Sequence, residues 1–203
     1  MATMSGAHTE RSRILDRTVA VIESGGEDSV RVVDIAKHVG VAVTTLFHHF
    51  GTRQNLIAAA QVQRYVSTLG TTIEELDVAT ALAAGHEDFR GLILRFVRGL
   101  LTASAETSRR SRISVAGSAA LDVPLANLVG DMHHSLCVGL GNALSRAHEK
   151  GWIEQSLDPL ATAHWVIEML FSKGLNEIGN QQLDRRAWDD LALRSILRTL
   201  FND

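Results

Sequence analysis

Cysteine and proline are both scarce in this sequence of 203 residues. A single cysteine, Cys137, excludes an internal disulfide framework and fits a reducing compartment. Only two prolines occur, and hydrophobic residues make up 45% of the chain, a composition that favours a well-packed, mainly helical globular protein. The length leaves room for one small and one medium domain, or for one larger domain.

Long hydrophobic runs and a targeting segment are absent as well. The most apolar stretches, such as residues 165–171, are broken by charges well short of the roughly 20 residues that a membrane span needs. Residues 1–13 are polar and lack the basic-then-apolar order of a signal peptide. These features predict a soluble, cytoplasmic protein with no membrane partner.

Motifs of common enzyme classes are missing from the chain. No P-loop, G-x-G-x-x-G, G-x-S-x-G, H-E-x-x-H or C-x-x-C occurs. The adjacent histidines of His133-His134 point to different helix faces and cannot bind one ion together. Cys137 lies at helical spacing from His133, but a buried inert thiol is favoured because nothing in the sequence orients the base. We therefore predict no enzyme activity, no cofactor and no metal site.

Two short amphipathic runs, residues 32–39 and 43–49, flank Gly40. Apolar residues in each run recur at the spacing of one helix face. Gly40 can adopt the left-handed conformation that ends a helix without a Cβ penalty. Two helices joined by a short glycine turn predict a helix-turn-helix, whose second helix enters the major groove of DNA. The residues predicted to face inward are Ile35, Ala36, Val39, Leu46 and Phe50.

The charge distribution marks the same region. The net charge of −3 argues against a general nucleic-acid coat. However, no acidic residue lies between Asp34 and Glu74, whereas Lys37, Arg53 and Arg64 lie within that stretch. A surface that approaches DNA phosphates must avoid carboxylates, because the field of the duplex repels them.

The order of these residues resembles the tetracycline-repressor (TetR) family. Its DNA-binding signature reads I-A-x-x-x-G-V, followed by T-L-Y-x-[HY]-F-x-x-[KR]-x-x-L, and residues 35–56 of this sequence follow it closely. Ala42 stands where the family usually has a helix-capping serine, and Phe47 stands where it usually has tyrosine. The resemblance covers roughly the first 65 residues; beyond them only length and helical character agree.

The resemblance implies an all-α fold of about nine helices. A three-helix helix-turn-helix DNA-binding domain is expected at residues 10–52, a connecting helix at 53–76, and a helical effector-binding and dimerisation domain at 77–203. The resemblance assigns residues of the second helix to contacts with base edges. It assigns other residues of that helix and the first residue of the connecting helix to phosphates, and residues of the first helix to the groove edges. The corresponding residues are Val43, Thr44, Phe47 and His48 for bases, Thr45, His49 and Arg53 for phosphates, and Val33 and Lys37 for the groove edges.

The later helices supply a candidate effector pocket. Few charged residues fall on their inward faces, so we expect a largely apolar, uncharged effector. For each residue, simple core packing is an equally good interpretation. The assigned walls are Phe96, Met132, Leu136, Trp165 and Met169, with His133 and His164 as polar anchors.

A helix predicted at about residues 159–178 is apolar on two sides, and one of these sides needs a partner. The family resemblance implies a four-helix interface between two copies of the chain. The interface residues expected on this helix and the last one are Val166, Phe171, Gly174, Leu197 and Leu200. The basic run at residues 109–112 looks like a phosphate patch, but a helix end or loop kept soluble by charge is favoured.

Together these features predict a homodimeric transcriptional regulator that binds double-stranded DNA. The leading hypothesis is a repressor that a small apolar effector releases from a palindromic operator. Two alternatives stay open. One is a constitutive or activating regulator without an effector, and the other is a small all-α enzyme, for which no converging catalytic groups are evident.

Overall fold

Every regular element in residues 3–178 and 184–202, the part of the chain described by this computed structural model, is a helix. Single 3-10 turns at Glu27–Ser29 and Ala103–Ala105 precede the second and sixth α-helices. This architecture confirms the predicted all-α fold. The α-helices are α1 (Thr3–Gly25), α2 (Val32–Val39), α3 (Val43–Phe50), α4 (Arg53–Leu82), α5 (His86–Leu101), α6 (Glu106–Ala119), α7 (Val123–Glu149), α8 (Pro159–Asn176) and α9 (Arg185–Phe201).

The chain divides into two compact units, Met1–Tyr65 and Val66–Asp203, which we call the head and the body. The first turns of α4 belong to the head, and the rest of α4 belongs to the body. Leu56 and Ala60, on these first turns, are fully buried in the head core. The functional boundaries predicted after residues 52 and 76 stay predictions.

An apolar core holds the helices of the head together. Gly40 ends α2 with φ 76° and ψ 36°, and the N–H groups of Gly40 and Val41 each donate to the Ala36 carbonyl at 3.0 Å. This left-handed glycine confirms the predicted turn between α2 and α3. The core residues are Ile14, Leu15, Ile22, Val30, Ile35, Ala36, Val39, Leu46, Phe50, Leu56, Ile57 and Ala60.

Aspartates cap three helices of the body. Asp122 accepts a hydrogen bond from the Leu125 N–H at 3.0 Å, and Asp158 accepts one from the Ala161 N–H at 2.6 Å. In both cases a proline stands in the first turn, where its missing N–H has no intrahelical role. Asp184 caps α9 in the same way. The start of α8 at Pro159 agrees with the helix predicted from the sequence at about residues 159–178.

Two glycines of the body lie against side chains of neighbouring helices. A Cβ atom added at Gly139 of α7 would lie 2.9 Å from Ile73 Cγ2 of α4. A Cβ added at Gly174 of α8 would lie 2.7 Å from Ile113 Cδ1 and 3.3 Å from the Arg109 carbonyl oxygen, both on α6. At these two points only glycine leaves room for the neighbouring helix.

Charged side chains are buried where α6, α8 and α9 meet. Arg109 Nε donates to Glu177 Oε2 at 2.9 Å, and Arg109 Nη1 donates to the Leu100 carbonyl at 2.6 Å. Lys173 Nζ donates to Asp189 Oδ1 and to the Leu101 carbonyl, each at 2.6 Å.

The expectation of a solvated helix end or loop at residues 109–112 is therefore wrong. The run lies inside α6, and Arg109, Ser111 and Arg112 are buried. The physical reason is the set of acceptors around Arg109, which replaces the hydration of its guanidinium group.

Within the described residues, the α-helices lack the combination of length and apolar character needed to cross a membrane.

Candidate DNA-binding surface and effector region

Five of the predicted DNA contacts share the solvent-exposed side of α2 and α3. We call Val33, Lys37, Thr44, Phe47 and His48 the head face. Phe47 is 42% exposed although it is a large aromatic residue, and Val33 is 64% exposed. The opposite side of each helix packs into the head core. The spacing of the apolar residues in the sequence therefore indicates which side of each helix meets solvent.

The other contacts predicted on α3 are half-buried. Val43 and Thr45 lie at the edge of the head face. The His49 side chain is only 14% exposed, and its Nε2 lies 3.9 Å from Glu10 Oε2 on α1. His49 is therefore positioned beside a carboxylate within the head, and its assignment to a phosphate stays a prediction.

Arg53 has hydrogen-bond partners inside the head. Its Nε donates to the Val30 carbonyl at 3.0 Å, and its Nη2 donates to the Glu27 carbonyl at 2.8 Å. These bonds fix the segment that leads into α2. A phosphate contact by Arg53 stays a prediction, and such a contact would add to this internal role.

The start of α3 has no side-chain cap. Ala42 precedes the helix and offers only its carbonyl, which accepts from the Thr45 N–H at 3.0 Å and the Leu46 N–H at 3.3 Å. The first amides of α3 therefore depend on water or on a bound group for their hydrogen bonds. This follows directly from the alanine at a position where the family resemblance leads us to expect serine.

A polar network at the start of α4 was not identified from the sequence. Arg64 Nη1 donates to Gln61 Oε1 at 2.6 Å, and Gln61 Nε2 donates to Glu27 Oε1. Arg64 Nε also lies 3.8 Å from Glu23 Oε1. Burial lowers the pKa of Arg64, and the charges of Glu23 and Glu27 partly offset that effect. The sequence signal at Arg64 was the absence of acidic residues near it in the chain, and this signal did not indicate its partners Gln61 and Glu23.

Phe96, the predicted pocket residue on α5, borders two different spaces. The first is a small cavity of about 10 Å³ in the body core, at the lower limit of what one water molecule needs. All of its lining side chains are apolar: Ile93, Phe96, Val97, Leu140, Leu144, Val166, Ile196 and Leu200. In this conformation the core around Phe96 is filled.

The second space beside Phe96 is an open cleft of about 260 Å³ between α4 and α5. Its walls combine apolar residues with Glu75 and Arg95, so it offers both signs of charge. The cleft was not identified from the sequence. The remaining lining residues are Thr72, Leu76, Ala79 and Leu92.

The predicted pocket residues on α7 and α8 group around a histidine cluster. Trp165 is exposed, Leu136 is buried, and Met132 and Met169 are half-buried. His133 Nε2 lies 2.8 Å from Glu168 Oε1, and the rings of His133 and His164 are 5.9 Å apart between centroids. Their assignment as effector anchors stays a prediction.

The residues predicted for dimerisation divide by burial. Val166, Gly174 and Leu200 are buried within the body itself, whereas Phe171 and Leu197 are half-buried. The exposed large apolar residues of α8 and α9 are different ones, namely Leu160, Trp165, Leu175 and Leu191. Sequence periodicity marked both sides of α8 as apolar, but it did not distinguish the side that packs on α6 and α7.

The head has the helix-turn-helix class of fold, in which α3 corresponds to the helix that enters the major groove. Residues 14–60 match the sequence model of the family described as bacterial regulatory proteins, tetR family. This match places the head of the chain, over residues 14–60, in that family.

Curated and solved relatives agree with that assignment. The chain is 32% identical over 127 residues to the HTH-type transcriptional repressor KstR of Mycolicibacterium smegmatis, and the match covers 61% of this chain and 56% of KstR. A structure from Mesorhizobium loti assigned to the same family superposes with a TM-score of 0.69 at 17% identity, covering 96% of this chain and 98% of the other. FadR of Bacillus subtilis, solved with stearoyl-CoA, superposes with a TM-score of 0.62 at 17% identity, covering 91% and 96%.

These matches differ in what they establish. The two structures are too distant in sequence to indicate more than a common fold. The match to KstR spans little more than half of that protein's length. The DNA target, the effector and the assembly of this chain are therefore matters of proposal.

Proposed function

We propose that this chain is a cytoplasmic transcriptional repressor that binds a palindromic DNA operator as a homodimer and is released from it by a small, largely apolar effector. The observation that carries the proposal is the head face. It exposes hydroxyl, aromatic, imidazole and ammonium groups on α2 and α3, in a family whose members are bacterial regulatory proteins.

The chemistry of the head face suits duplex DNA. Thr44 offers a hydroxyl that donates or accepts, and Phe47 offers an apolar edge for a thymine methyl group. Lys37 provides a positive charge at the edge of the groove, and residues 35–73 contain no acidic residue. Phosphate contacts position the protein on DNA, and base contacts give sequence preference.

A dimer follows from the apolar surface of α8 and α9. Trp165, Leu175 and Leu191 are exposed on these helices, and a monomer gains nothing from keeping such residues in water. A two-fold interface would bury the same patch on both copies. Two heads then read two half-sites about 34 Å apart, which is one turn of the double helix.

The effector is proposed to enter the body core around Phe96. The lining of the small cavity there is entirely apolar, so an apolar ligand that enlarges it by displacing side chains leaves no buried polar group unpaired. Release of DNA by about a hundredfold requires the ligand to prefer the non-binding conformation by roughly 2.7 kcal/mol. Burial of about three or four ligand methylene groups in only that conformation, at about 0.8 kcal/mol each, supplies a comparable free energy.

Selection from a pool of randomised double-stranded DNA tests the DNA-binding part. The expected result is an enriched palindrome whose half-sites are about one helical turn apart. Thr44→Ala together with His48→Ala should abolish the enrichment, whereas Leu121→Ser, an exposed site in the body, should leave it unchanged. A pool that stays random with folded wild-type protein would refute the proposal.

A thermal-shift screen of small, uncharged aliphatic and aromatic compounds tests the effector part. Compounds that raise the melting temperature are then added to the selected DNA complex. We expect at least one stabilising compound to release the DNA, and Phe96→Ala to change its affinity. If stabilising compounds leave the DNA complex intact, the repressor is not released by an effector of this class.

A further inference from the structure

Three donor atoms from α7 and α8 converge beside the body core. His133 and Cys137 are four residues apart on α7, so their side chains lie on the same face one turn apart. His164, on α8, approaches from the facing helix. One nitrogen of each histidine and the sulfur of Cys137 all lie within 4.8 Å of one another.

One of these separations matches that of two ligands around one small metal ion. Zinc lies about 2.3 Å from a thiolate sulfur and about 2.0–2.1 Å from an imidazole nitrogen, so tetrahedral geometry separates the two donors by about 3.5 Å. The observed distance from Cys137 Sγ to His133 Nε2 is 3.6 Å. The two donors therefore already stand close to their positions in a zinc complex.

A fourth donor is adjacent to the cluster. Glu168 follows His164 by four residues on α8, and its Oε1 lies 2.8 Å from His133 Nε2. The Glu168 side chain is 57% exposed, so it can turn from the imidazole to an ion without breaking any core packing. Each of the two packed helices thus provides two ligands that are four residues apart. The α7 pair supplies a nitrogen and a sulfur, and the α8 pair supplies a nitrogen and an oxygen.

We propose that Cys137, His133, His164 and Glu168 form a binding site for one divalent transition-metal ion, with zinc as the best match. Thiolate and imidazole donors together favour zinc over magnesium or calcium, which prefer oxygen ligands. The site revises the sequence prediction of no metal. That prediction considered only adjacent histidines and histidine–cysteine pairs within one helix.

Metal binding at this site includes a proton transfer. Burial, together with the charge of Glu168, raises the pKa of Cys137 to about 11, so the free thiol is protonated at neutral pH. The ion forms a bond to the sulfur, and the thiol proton leaves to solvent. The positive charge of the ion replaces the proton as the partner of the sulfur, and it also offsets the carboxylate of Glu168.

A packing role for the same residues is the competing explanation. Cys137 is fully buried and fills space against the core, as free cysteines commonly do. Packing alone does not require two imidazoles and a carboxylate to converge on that sulfur. The inference does not rest on the proposed function, because binding of metal is measured without DNA.

The test uses the full chain after removal of any affinity tag, with Co²⁺ and Zn²⁺ as probes. We expect one Co²⁺ ion per chain, with a thiolate-to-cobalt charge-transfer absorption and the intense visible bands of four-coordinate cobalt. Zinc should displace the cobalt. Cys137→Ser should remove the charge-transfer absorption, and both Cys137→Ser and His164→Gln should lower zinc affinity by at least about a hundredfold.

Glu168→Gln is expected to fold like the wild type, because the Glu168 side chain is mostly exposed. It therefore tests the site without disturbing the core. It should lower zinc affinity about 10- to 100-fold while the circular dichroism spectrum stays unchanged. His38→Gln is the matched control, since His38 is an exposed histidine on α2, and it should bind zinc like the wild type. The proposal is overturned if cobalt gives no charge-transfer absorption, if one ion binds per two chains, or if folded Glu168→Gln and His164→Gln retain wild-type affinity.

Discussion

Arg109 and Glu177 form a two-pronged ion pair in the interior of the body, and each side chain is only 2% exposed. Arg109 Nε and Nη2 donate to the two carboxylate oxygens, while Nη1 donates to the Leu100 and Thr102 carbonyls. The pair is therefore satisfied without water. Its partners are 68 residues apart in the sequence, so it joins α6 to the end of α8.

Removing one partner of this pair should destabilise the body strongly. Arg109→Leu leaves the Glu177 carboxylate buried without its cation, which is expected to cost about 3–5 kcal/mol of the free energy of unfolding. Arg185→Leu is the control, since its ion pair with Glu106 is exposed and should be worth less than about 1 kcal/mol. Urea unfolding followed by circular dichroism measures both. Equal effects of the two substitutions would contradict a special role for the buried pair.

Gly174 and Gly130 provide a second matched comparison. Gly174→Ala forces a Cβ against Ile113 and the Arg109 carbonyl, and we expect it to destabilise the body by about 1–3 kcal/mol. Gly130 lies in α7 with no atom within 4 Å of an added Cβ, so Gly130→Ala should stabilise the helix by up to about 1 kcal/mol. Thermal unfolding checks the two signs, and a stabilising Gly174→Ala would mean that α6 and α8 are less tightly packed than described.

Lys37 and Arg53 should affect DNA binding in different ways. Lys37→Ala removes only an exposed charge, so binding to all DNA sequences should weaken alike. The slope of the logarithm of the binding constant against the logarithm of the salt concentration should decrease by about one. Arg53→Ala should weaken binding too, but it should also lower the melting temperature of the protein, because the Val30 and Glu27 carbonyls lose their donor. Binding isotherms at several salt concentrations, together with thermal unfolding, separate the two effects. A change in base preference with an unchanged salt slope would contradict the phosphate role of either residue.

Charge on the exposed side of α8 and α9 should produce monomers. Leu191→Glu places a carboxylate in the proposed interface, and Phe171→Glu tests the half-buried residue predicted from the sequence. Leu121→Glu is the control, since Leu121 is 93% exposed at the turn before α7. Sedimentation velocity at micromolar concentration should show a dimer for the wild type and the control, and monomers for the α8 and α9 variants. A wild-type monomer under these conditions would falsify the interface.

The buried thiol should make stability depend on alkaline pH. In metal-free protein the pKa of Cys137 is raised from 9.0 to about 11, so the folded state holds the proton more tightly than the unfolded chain does. The resulting stability is fully present below pH 9 and is lost as the pH rises to about 11. Its size is at most about 3 kcal/mol, since one pKa unit corresponds to about 1.4 kcal/mol. Comparison of wild type and Cys137→Ala in chelator, at pH 8 and pH 10.5, isolates this contribution; parallel losses in both proteins would exclude it.

The sequence predicted the head well because its signals are local. Gly40 needs only its own backbone conformation to end α2, and the inward side of α3 follows from the spacing of Leu46 and Phe50. The caps at Asp122, Asp158 and Asp184 are also local, since each aspartate bonds amides two or three residues later.

Features that depend on a distant partner were not predictable in this way. The composition around Arg109 indicates a solvated cation, and only the fold reveals Glu177 beside it. Similarly, His133 and Cys137 are visible as a pair in the sequence, but the packing of α7 on α8 decides whether His164 joins them. The effector pocket also could not be predicted from local signals. Apolar periodicity marks Phe96 as facing inward, but it does not show whether the interior around Phe96 is filled.

Lys173 gives the body a further property, which concerns how it unfolds. Its ammonium group bonds Asp189 on α9 and the Leu101 carbonyl at the end of α5. Opening of α9 alone would leave this buried cation without its counter-charge, so α9 should not fray independently of α8. We therefore expect the amide protons of α8 and α9 to exchange with deuterium together, as one cooperative unit, and to be protected from exchange to a similar degree.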